Sequence, residues 1–184
     1  MAKNGSEPIA AMGIDIPLAV LSEKHQLLFS YFKQLFAQVT NPPIDAIREE
    51  IITDTQVYVG SDGNLLEDRE ENCQVLEIQH PILTSVDLLK IKNMDLPGLK
   101  VETVSILYYK NTSLERAISQ LIVNLDRLCS KGVNIVILSD RGVDENHVPI
   151  PSLLAVSAAE QHLVETRKRT AVSIVLESGE PRDV

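Results

Sequence analysis

Two largely apolar runs near the end of the chain constrain its fold most strongly. They are VNIVIL at residues 133–138 and TAVSIVLE at residues 170–177. Runs of this kind are typical of strands that are buried on both faces, as the strands of a parallel sheet are. Neighbouring parallel strands need a long crossover between them, so we expect a helix to separate the two runs.

The order of elements around these runs predicts an α/β fold. The segment VETVSILYY, residues 101–109, is rich enough in β-branched and aromatic residues for a third strand. Thr112–Ser113 should cap a helix that ends at Gly132, and after a loop at residues 139–151 Pro151 should open a second helix. The result is β-α-β-α-β, a parallel sheet with right-handed crossovers in the C-terminal half.

The first half of the chain is less regular in pattern. Residues 1–21 carry Gly and Pro among small residues, which predicts an extended arm, and residues 22–184 then form one α/β domain. Ser22 is a candidate N-cap for a helix with a wide apolar face. We expect residues 57–100 to be mostly irregular, with a short helix within residues 85–94.

A proline pair interrupts two helical patterns in the stretch QVTNPPIDAIREE. Asn41 suits an N-cap position, and Pro42 suits the first helical position, where its missing N–H costs nothing. Pro43 is tolerated in the same first turn, and Asp45 adds negative charge near the helix N-terminus. We therefore expect a rigid elbow that joins two helices.

Composition excludes several classes of function. The formal net charge is −9, and the densest basic cluster, residues 167–169, fits cations at a helix C-terminus better than a nucleic-acid surface. Cys73 and Cys129 stand alone, without metal-ligand spacing, which predicts no metal site and a reducing cytoplasm. No apolar run approaches the length of a membrane span, so we expect no membrane contact.

Polar residues follow the two apolar strands at the edge where parallel α/β folds bind ligands. Asp140 and Glu177 would serve there as acid and base, with Arg141 as an anion clamp. The competing interpretation is that these side chains form salt bridges that brace the loops. No phosphate-binding glycine loop, paired-histidine motif or nucleophile elbow accompanies them.

A set of longer motifs resembles the central domain of the large subunit of glutamate synthase. The motifs follow one another in the order of that family and cover nearly the whole chain. They are MGIDIPLAVLS, YFKQLFAQVTNPPIDAIREE, GNLLE, HPILT, ILSDRGVD followed by PIPSLLAV, and VLESGEPRDV. The resemblance implies a fold related to an incomplete (β/α)8 barrel, or TIM barrel.

The resemblance also implies a function for the parent enzyme. Such an enzyme hydrolyses glutamine in an amidotransferase domain and passes the ammonia through a tunnel to 2-oxoglutarate at FMN, with a 3Fe–4S cluster as a second cofactor. This chain would be the non-catalytic domain between the two sites, without catalytic residues, FMN or metal of its own. Its partners would be the amidotransferase and FMN domains. We hypothesise that the elbow residues contact those domains, with purely internal packing as the alternative; these residues are Asn41, Pro42, Pro43, Asp45 and Arg48.

Two other functions stay open on the residues alone. One is a free-standing small-molecule enzyme with its site near Asp140, Arg141 and Glu177. The other is a scaffold module whose arm binds a partner. A covering helix ordinarily follows a buried strand in an α/β domain, and none follows residue 177, so we expect the chain to be an excised piece of a longer enzyme.

Overall fold

The computed structural model describes residues 17–32 and 43–181 of the chain. The chain divides into two compact units, Met1–Asp54 and Thr55–Val184. Most of the predicted arm, with Asn41 and Pro42 of the elbow, lies outside the described residues.

The described part of the first unit is built from short helical segments. Two 3-10 turns, Ala19–Leu21 and Leu28–Phe32, precede the helix α1, Ala46–Ile52. The prediction that Ser22 begins a long helix is wrong over residues 22–32. Ser22 ends the first 3-10 turn in an extended conformation, and its hydroxyl accepts a hydrogen bond from the N–H of Lys24 instead.

Helix α1 begins later than the elbow pattern predicts. Asp45 is its N-cap, and the carboxylate of Asp45 accepts hydrogen bonds from the N–H groups of Ile47 (3.2 Å) and Arg48 (2.9 Å). A charged acceptor at this position satisfies two of the amides that every helix start leaves unpaired. Pro43 therefore lies before the helix rather than in its first turn.

The second unit holds all of the strands that the structure describes. In chain order its regular elements are β1 (Val57–Gly60), β2 (Val75–Ile78), α2 (Ser85–Lys92), β3 (Val101–Ser105), β4 (Leu107–Tyr109), α3 (Leu114–Ser130), β5 (Ile135–Ser139), β6 (His147–Pro149), α4 (Ser152–Glu165) and β7 (Ser173–Glu177), with 3-10 turns at Glu70–Cys73 and Arg169–Ala171. Strands β3, β5 and β7 form a parallel sheet in that spatial order. The predicted β-α-β-α-β arrangement, with α3 and α4 as the crossover helices, is confirmed.

Two antiparallel ribbons were not predicted. Strands β1 and β2 pair with each other inside the segment that we expected to be mostly irregular, whereas the short helix expected there is confirmed as α2. The segment VETVSILYY splits, because the N–H of Ile106 donates to the carbonyl of Ser139 while the carbonyl of Ile106 accepts from Ile150. Its second part, β4, then pairs with β6, inside the predicted loop.

Strand β5 lies at the centre of the core. Its alternating side chains point to opposite faces of the sheet, and Ile135, Val136, Ile137 and Leu138 are all 0% exposed. One face packs on the helices α3 and α4, and the other packs on the β1–β2 ribbon and α2. Burial of each such side chain contributes about 1.5–3 kcal/mol.

Ion pairs join the end of α4 to its surroundings. The basic triplet 167–169 follows the helix, as predicted. Lys168 and His162 both form hydrogen bonds with the carboxylate of Asp126 on α3. These bonds lower the pKa of Asp126, and the bond from Lys168 has the larger effect. Arg169 pairs with Glu160. The two crossover helices are thus tied together at one end.

Both crossover helices end in the same hydrogen-bond motif with different residues. After α3, the N–H groups of Gly132 and Val133 donate back into the last turn, and Gly132 has a φ of 73°. After α4, Arg167 and Lys168 make the equivalent bonds, and Arg167 has a φ of 59°. This left-handed conformation suits glycine, because a side chain is strained there.

Replacement of Arg167 by glycine should stabilise the chain. Relief of the left-handed strain outweighs the entropy that glycine adds to the unfolded chain, so we expect Arg167→Gly to raise the free energy of unfolding by about 0.5–1 kcal/mol. Urea denaturation of the 184-residue chain measures this. Arg167→Ala is the matched control, since it removes the same exposed side chain and keeps the strain. An equal gain in both variants would show that the side chain, and not φ, is responsible.

Candidate functional site

The carboxyl ends of β5 and β7 bring the predicted site residues together. Ser139 and Glu177 are paired in the sheet register, and the hydroxyl of Ser139 donates to Oε2 of Glu177 at 2.6 Å. The N–H of Asp140 donates to the carbonyl of Glu177 at 3.2 Å. Asp140, Arg141 and Glu177 therefore lie at one edge of the sheet, as the parallel topology requires.

Lys92 is the main charged partner of Glu177 and was not predicted. Its Nζ lies 2.7 Å from Oε2 of Glu177, whereas Nε of Arg141 lies 3.8 Å from Oε1. The side chains of Glu177 and Lys92 are 14% and 26% exposed, and that of Arg141 is 69% exposed. Lys92 ends α2, which is far from β7 in sequence, so no local pattern pointed to it.

The carboxyl of Glu177 is held in its charged form. Burial alone would raise its pKa, but the hydrogen bonds from Lys92 and Ser139, with the positive charges of Lys92 and Arg141, lower the pKa below its usual value. A general acid or base works best with a pKa near the working pH. The geometry at Glu177 therefore suits a structural ion pair better than proton transfer at neutral pH.

The segment after β7 is tied to the start of α4. Ser178 donates from its hydroxyl to Oδ2 of Asp140 at 2.5 Å and accepts a bond from the N–H of Glu180. Oε2 of Glu180 accepts a bond from the N–H of Ser152 at 2.6 Å. Pro151, the N-cap of α4, makes no side-chain cap bond. Glu180 thus caps a helix that is distant from it in sequence.

The residues present do not fit the two cofactors that the family resemblance implies for the parent enzyme. The N-terminus of a crossover helix is the place where a flavin phosphate would bind, and the carboxylate of Glu180 already holds the Ser152 N–H at that place. An iron–sulfur cluster is held by several cysteine thiolates, and the chain has two cysteines in all. No chemical step is therefore assigned to either cofactor here.

A groove of about 560 Å³ runs beside the same strand ends. Its lining includes residues of β1, β2, α2 and β7 together with the HPILT segment. Arg141 and Glu177 are among the residues that line it. Its volume is in the range of small-ligand sites, and its walls are mostly aliphatic.

The elbow residues that the structure describes are exposed. Pro43 is exposed, and Arg48 lies 3.9 Å from the carboxylate of Asp45 with both side chains largely in solvent. On α1, Ile47 and Ile51 are 84% and 79% exposed. Helix α1 therefore carries an exposed apolar stripe formed by Ile47 and Ile51.

Neither a membrane helix nor a metal cluster occurs within residues 17–32 and 43–181. No helix in those ranges combines the length and the hydropathy that crossing a membrane requires. The same ranges contain no group of three His, Cys, Asp or Glu side chains placed to hold a metal ion.

The fold and the strand-end cluster define an α/β domain with a parallel sheet, whose carboxyl edge is held together by the partly buried Lys92–Glu177 ion pair. A family model described as the glutamate synthase central domain matches residues 1–184. The chain belongs to this family.

Curated relatives agree with the family assignment. The chain is 46% identical over 182 residues to the glutamate synthase [NADPH] large chain of Bacillus subtilis, covering 99% of this chain and 12% of the relative. It is 40% identical over 189 residues to the glutamate synthase [NADH] of Schizosaccharomyces pombe, covering 100% of this chain and 9% of the relative. Ferredoxin-dependent glutamate synthase 2 of Synechocystis is 40% identical, with 98% and 12% covered. The chain therefore spans about one-eighth or less of these relatives.

Removal of Lys92 should destabilise the chain more than removal of an exposed lysine on the same helix. Lys92→Met leaves the Glu177 carboxylate without its main partner, so we expect a loss of about 1.5–3 kcal/mol in the free energy of unfolding. Lys90→Met is the matched control, because Lys90 pairs with Asp87 at the surface, and it should cost about 0–1 kcal/mol. Equal losses would mean that the Lys92–Glu177 pair contributes no more than a surface pair.

The contribution of Glu177 to the free energy of unfolding should decrease as the pH falls. Its pKa is lowered on folding, so its stabilising effect is fully present above the unfolded-state pKa and disappears as the pH falls through the folded-state pKa. The stability difference between the wild type and Glu177→Gln should therefore be constant near neutral pH and shrink below about pH 4.5. Urea denaturation at a series of pH values measures it. A difference that grew on acidification would contradict the assignment.

Proposed function

We propose that this chain is the connecting domain of a glutamate synthase large chain. It would link the glutaminase amidotransferase domain to the FMN synthase domain and help to frame the ammonia tunnel between them. The parent enzyme would form glutamate from glutamine and 2-oxoglutarate. The observation that carries this proposal is the family match over the whole chain, combined with the small share of each relative that the chain covers.

The cofactors of the parent enzyme would lie outside this domain. FMN and a 3Fe–4S cluster would be bound by other parts of the large chain, since the Glu180 carboxylate holds the start of α4 and the chain has two cysteines. Both cysteines are free, and Cys73 is exposed. An exposed thiol supports a reducing compartment such as the cytoplasm.

The elbow would contact the neighbouring domains. Ile47 and Ile51 present an uncovered apolar stripe on α1, and burial of each would contribute about 1.5–3 kcal/mol to a contact. Asp45 fixes the start of this helix through its cap bonds. Arg48 and Pro43 are exposed residues near the stripe in sequence, and Asn41 and Pro42, which precede it in sequence, complete the proposed contact.

The strand-end residues would brace the domain rather than catalyse. The hydrogen bonds of Asp140 and Glu177 connect β5, β7, α2 and the segment after β7. A free-standing enzyme would need one of these carboxyls to exchange protons near neutral pH, and the lowered pKa of Glu177 argues against that role for Glu177.

Loss of the α1 stripe should uncouple the two reactions in the intact large chain. We expect Ile47→Ser to raise the ratio of glutamine hydrolysed to glutamate formed, because ammonia escapes when the domain contact loosens. Val123→Ser is the control, since Val123 is an exposed aliphatic residue on the helix α3, with 59% of its surface accessible against 84% for Ile47. Paired assays of free ammonia and glutamate give the ratio. An unchanged ratio in Ile47→Ser would overturn the role of the elbow in coupling.

A further inference from the structure

The segment GNLLE, residues 63–67, places two leucine side chains in water. Leu65 and Leu66 are 74% and 95% exposed, and within residues 17–32 and 43–181 no other large apolar side chain is as exposed as Leu66. The segment lies between β1 and β2, yet neither leucine joins the core cluster to which that ribbon contributes. Single exposed leucines are common on protein surfaces. This pair differs from them in the structure that holds it.

Two asparagines fix the backbone on both sides of the leucines. Oδ1 of Asn64 accepts from the N–H of Leu66 at 3.1 Å, and the carbonyl of Asn64 accepts from the N–H of Glu67 at 3.0 Å. Nδ2 of Asn72 donates to the carbonyl of Asn64 at 3.1 Å and to that of Glu67 at 2.9 Å. These bonds keep the two leucines in their exposed positions. We call residues 62–67 the leucine turn.

The base of the leucine turn is anchored to the second unit. The N–H groups of Asp62 and Gly63 donate to the carbonyl of Thr170 at 2.8 Å and 3.2 Å. Gly63 has a φ of 62°, and a Cβ at this position would lie 2.1 Å from Oδ1 of Asn72. Glycine therefore fits there without displacing the asparagine that closes the turn. The turn has a defined shape before any partner binds.

The residues that follow the leucine turn are strongly acidic. Arg69 is the one cation within residues 67–71, and it already pairs with Glu67. The 3-10 turn at Glu70–Cys73 includes Asn72, whose side chain bonds the leucine turn, so its acidic residues lie close to the leucines. Three side chains of this acidic rim are exposed, and they are Asp68, Glu70 and Glu71.

The acidic rim distinguishes among the surfaces that could cover the leucines. A second copy of the same turn would bring carboxylates against carboxylates, and the phosphates of a nucleic acid or an anionic membrane would meet the same repulsion. An apolar pocket with Lys or Arg around it has the complementary charge. Protein contacts commonly have this anatomy, an apolar centre within a polar rim. A turn that is already ordered also loses less conformational entropy when it binds.

We propose that the leucine turn inserts Leu65 and Leu66 into an apolar pocket, rimmed by Lys or Arg, on another domain of the same large chain. In the Bacillus subtilis relative the matched part is 12% of the polypeptide, so most of such a chain lies outside this domain. Attachment to the same polypeptide gives the pocket a high effective concentration. The contact rests on the proposed place of the domain within a large chain, but not on the ammonia tunnel or on the elbow.

Oxidation of leucine side chains by hydroxyl radicals, measured by mass spectrometry, tests the proposal. The folded intact large chain and its tryptic peptides receive the same radical dose. Leu65 and Leu66 should be oxidised at least about tenfold more slowly in the folded chain, because burial of even one leucine favours the closed contact by that factor. Equal rates in the folded chain and in the peptides would overturn the proposal, even if Ile47→Ser uncouples the reactions.

Neutralisation of the acidic rim tests the charge of the pocket. A triple variant of the intact large chain should oxidise both leucines at least about twofold faster than the wild type, because it loses the attraction to the basic rim. Its substitutions are Asp68→Asn, Glu70→Gln and Glu71→Gln. The control variant neutralises three exposed carboxylates outside the rim and should leave the rates unchanged. Its substitutions are Asp95→Asn, Glu102→Gln and Glu145→Gln. The same rates in both variants would show that the rim does not meet a basic surface, and would overturn the proposal.

A second copy of the large chain is the competing partner. Protection of Leu65 and Leu66 that disappears on dilution, as oligomers seen by light scattering dissociate, would place the pocket on another copy and overturn the assignment to the same chain. Protection that is independent of protein concentration supports that assignment.

Discussion

The burial of β5 on both faces is the constraint on which the second unit depends. Its four aliphatic side chains, Ile135–Leu138, are removed from water only because α3 and α4 cover one face and the β1–β2 ribbon with α2 covers the other. The positions of the helices and of the ribbon follow from that requirement. Each aliphatic side chain left exposed to water would lower the free energy of unfolding by about 1.5–3 kcal/mol. The parallel pairing of β3 and of β7 with β5 then places the carboxyl ends of all three strands at one edge.

The charge network at that edge is a consequence of the same packing. Glu177 is drawn out of water at the end of β7, and its charge is retained because Lys92 and Ser139 bond it there. Lys92 can reach it because α2 packs on the β5 face that the β1–β2 ribbon shares. Glu180 and Ser178 extend the network to the start of α4. A partly buried ion pair of this kind fixes the relative positions of elements that are distant in sequence.

The apolar stripe on α1 is exposed in the first unit, and the apolar residues of β7 in the second unit are only partly buried. Exposed apolar residues of this kind are what we expect of a domain that functions among other domains. Contact with a neighbouring domain would remove these aliphatic side chains from water, which is favourable. The family assignment and the small share of each relative that the chain covers are consistent with such a setting.

Local sequence was sufficient to predict the elements that depend on short-range interactions. The apolar runs predicted the parallel strands, and Ser113 and Gly132 marked the ends of α3, because strand burial and helix capping leave short-range patterns. The motifs that resemble the glutamate synthase family indicated its membership. The elbow pattern was less reliable, since Asp45 is the N-cap of α1 and the helix begins later than the pattern predicts.

Long-range pairing accounts for the features that the sequence did not reveal. The β1–β2 and β4–β6 ribbons have short strands whose partners lie far away or across a turn-rich segment, so their stability comes from cross-strand contacts and not from propensity. Lys92 became part of the strand-end cluster, and Glu180 became the cap of α4, only when the chain folded. Electrostatic partners are chosen by distance in space, which a one-dimensional pattern does not contain.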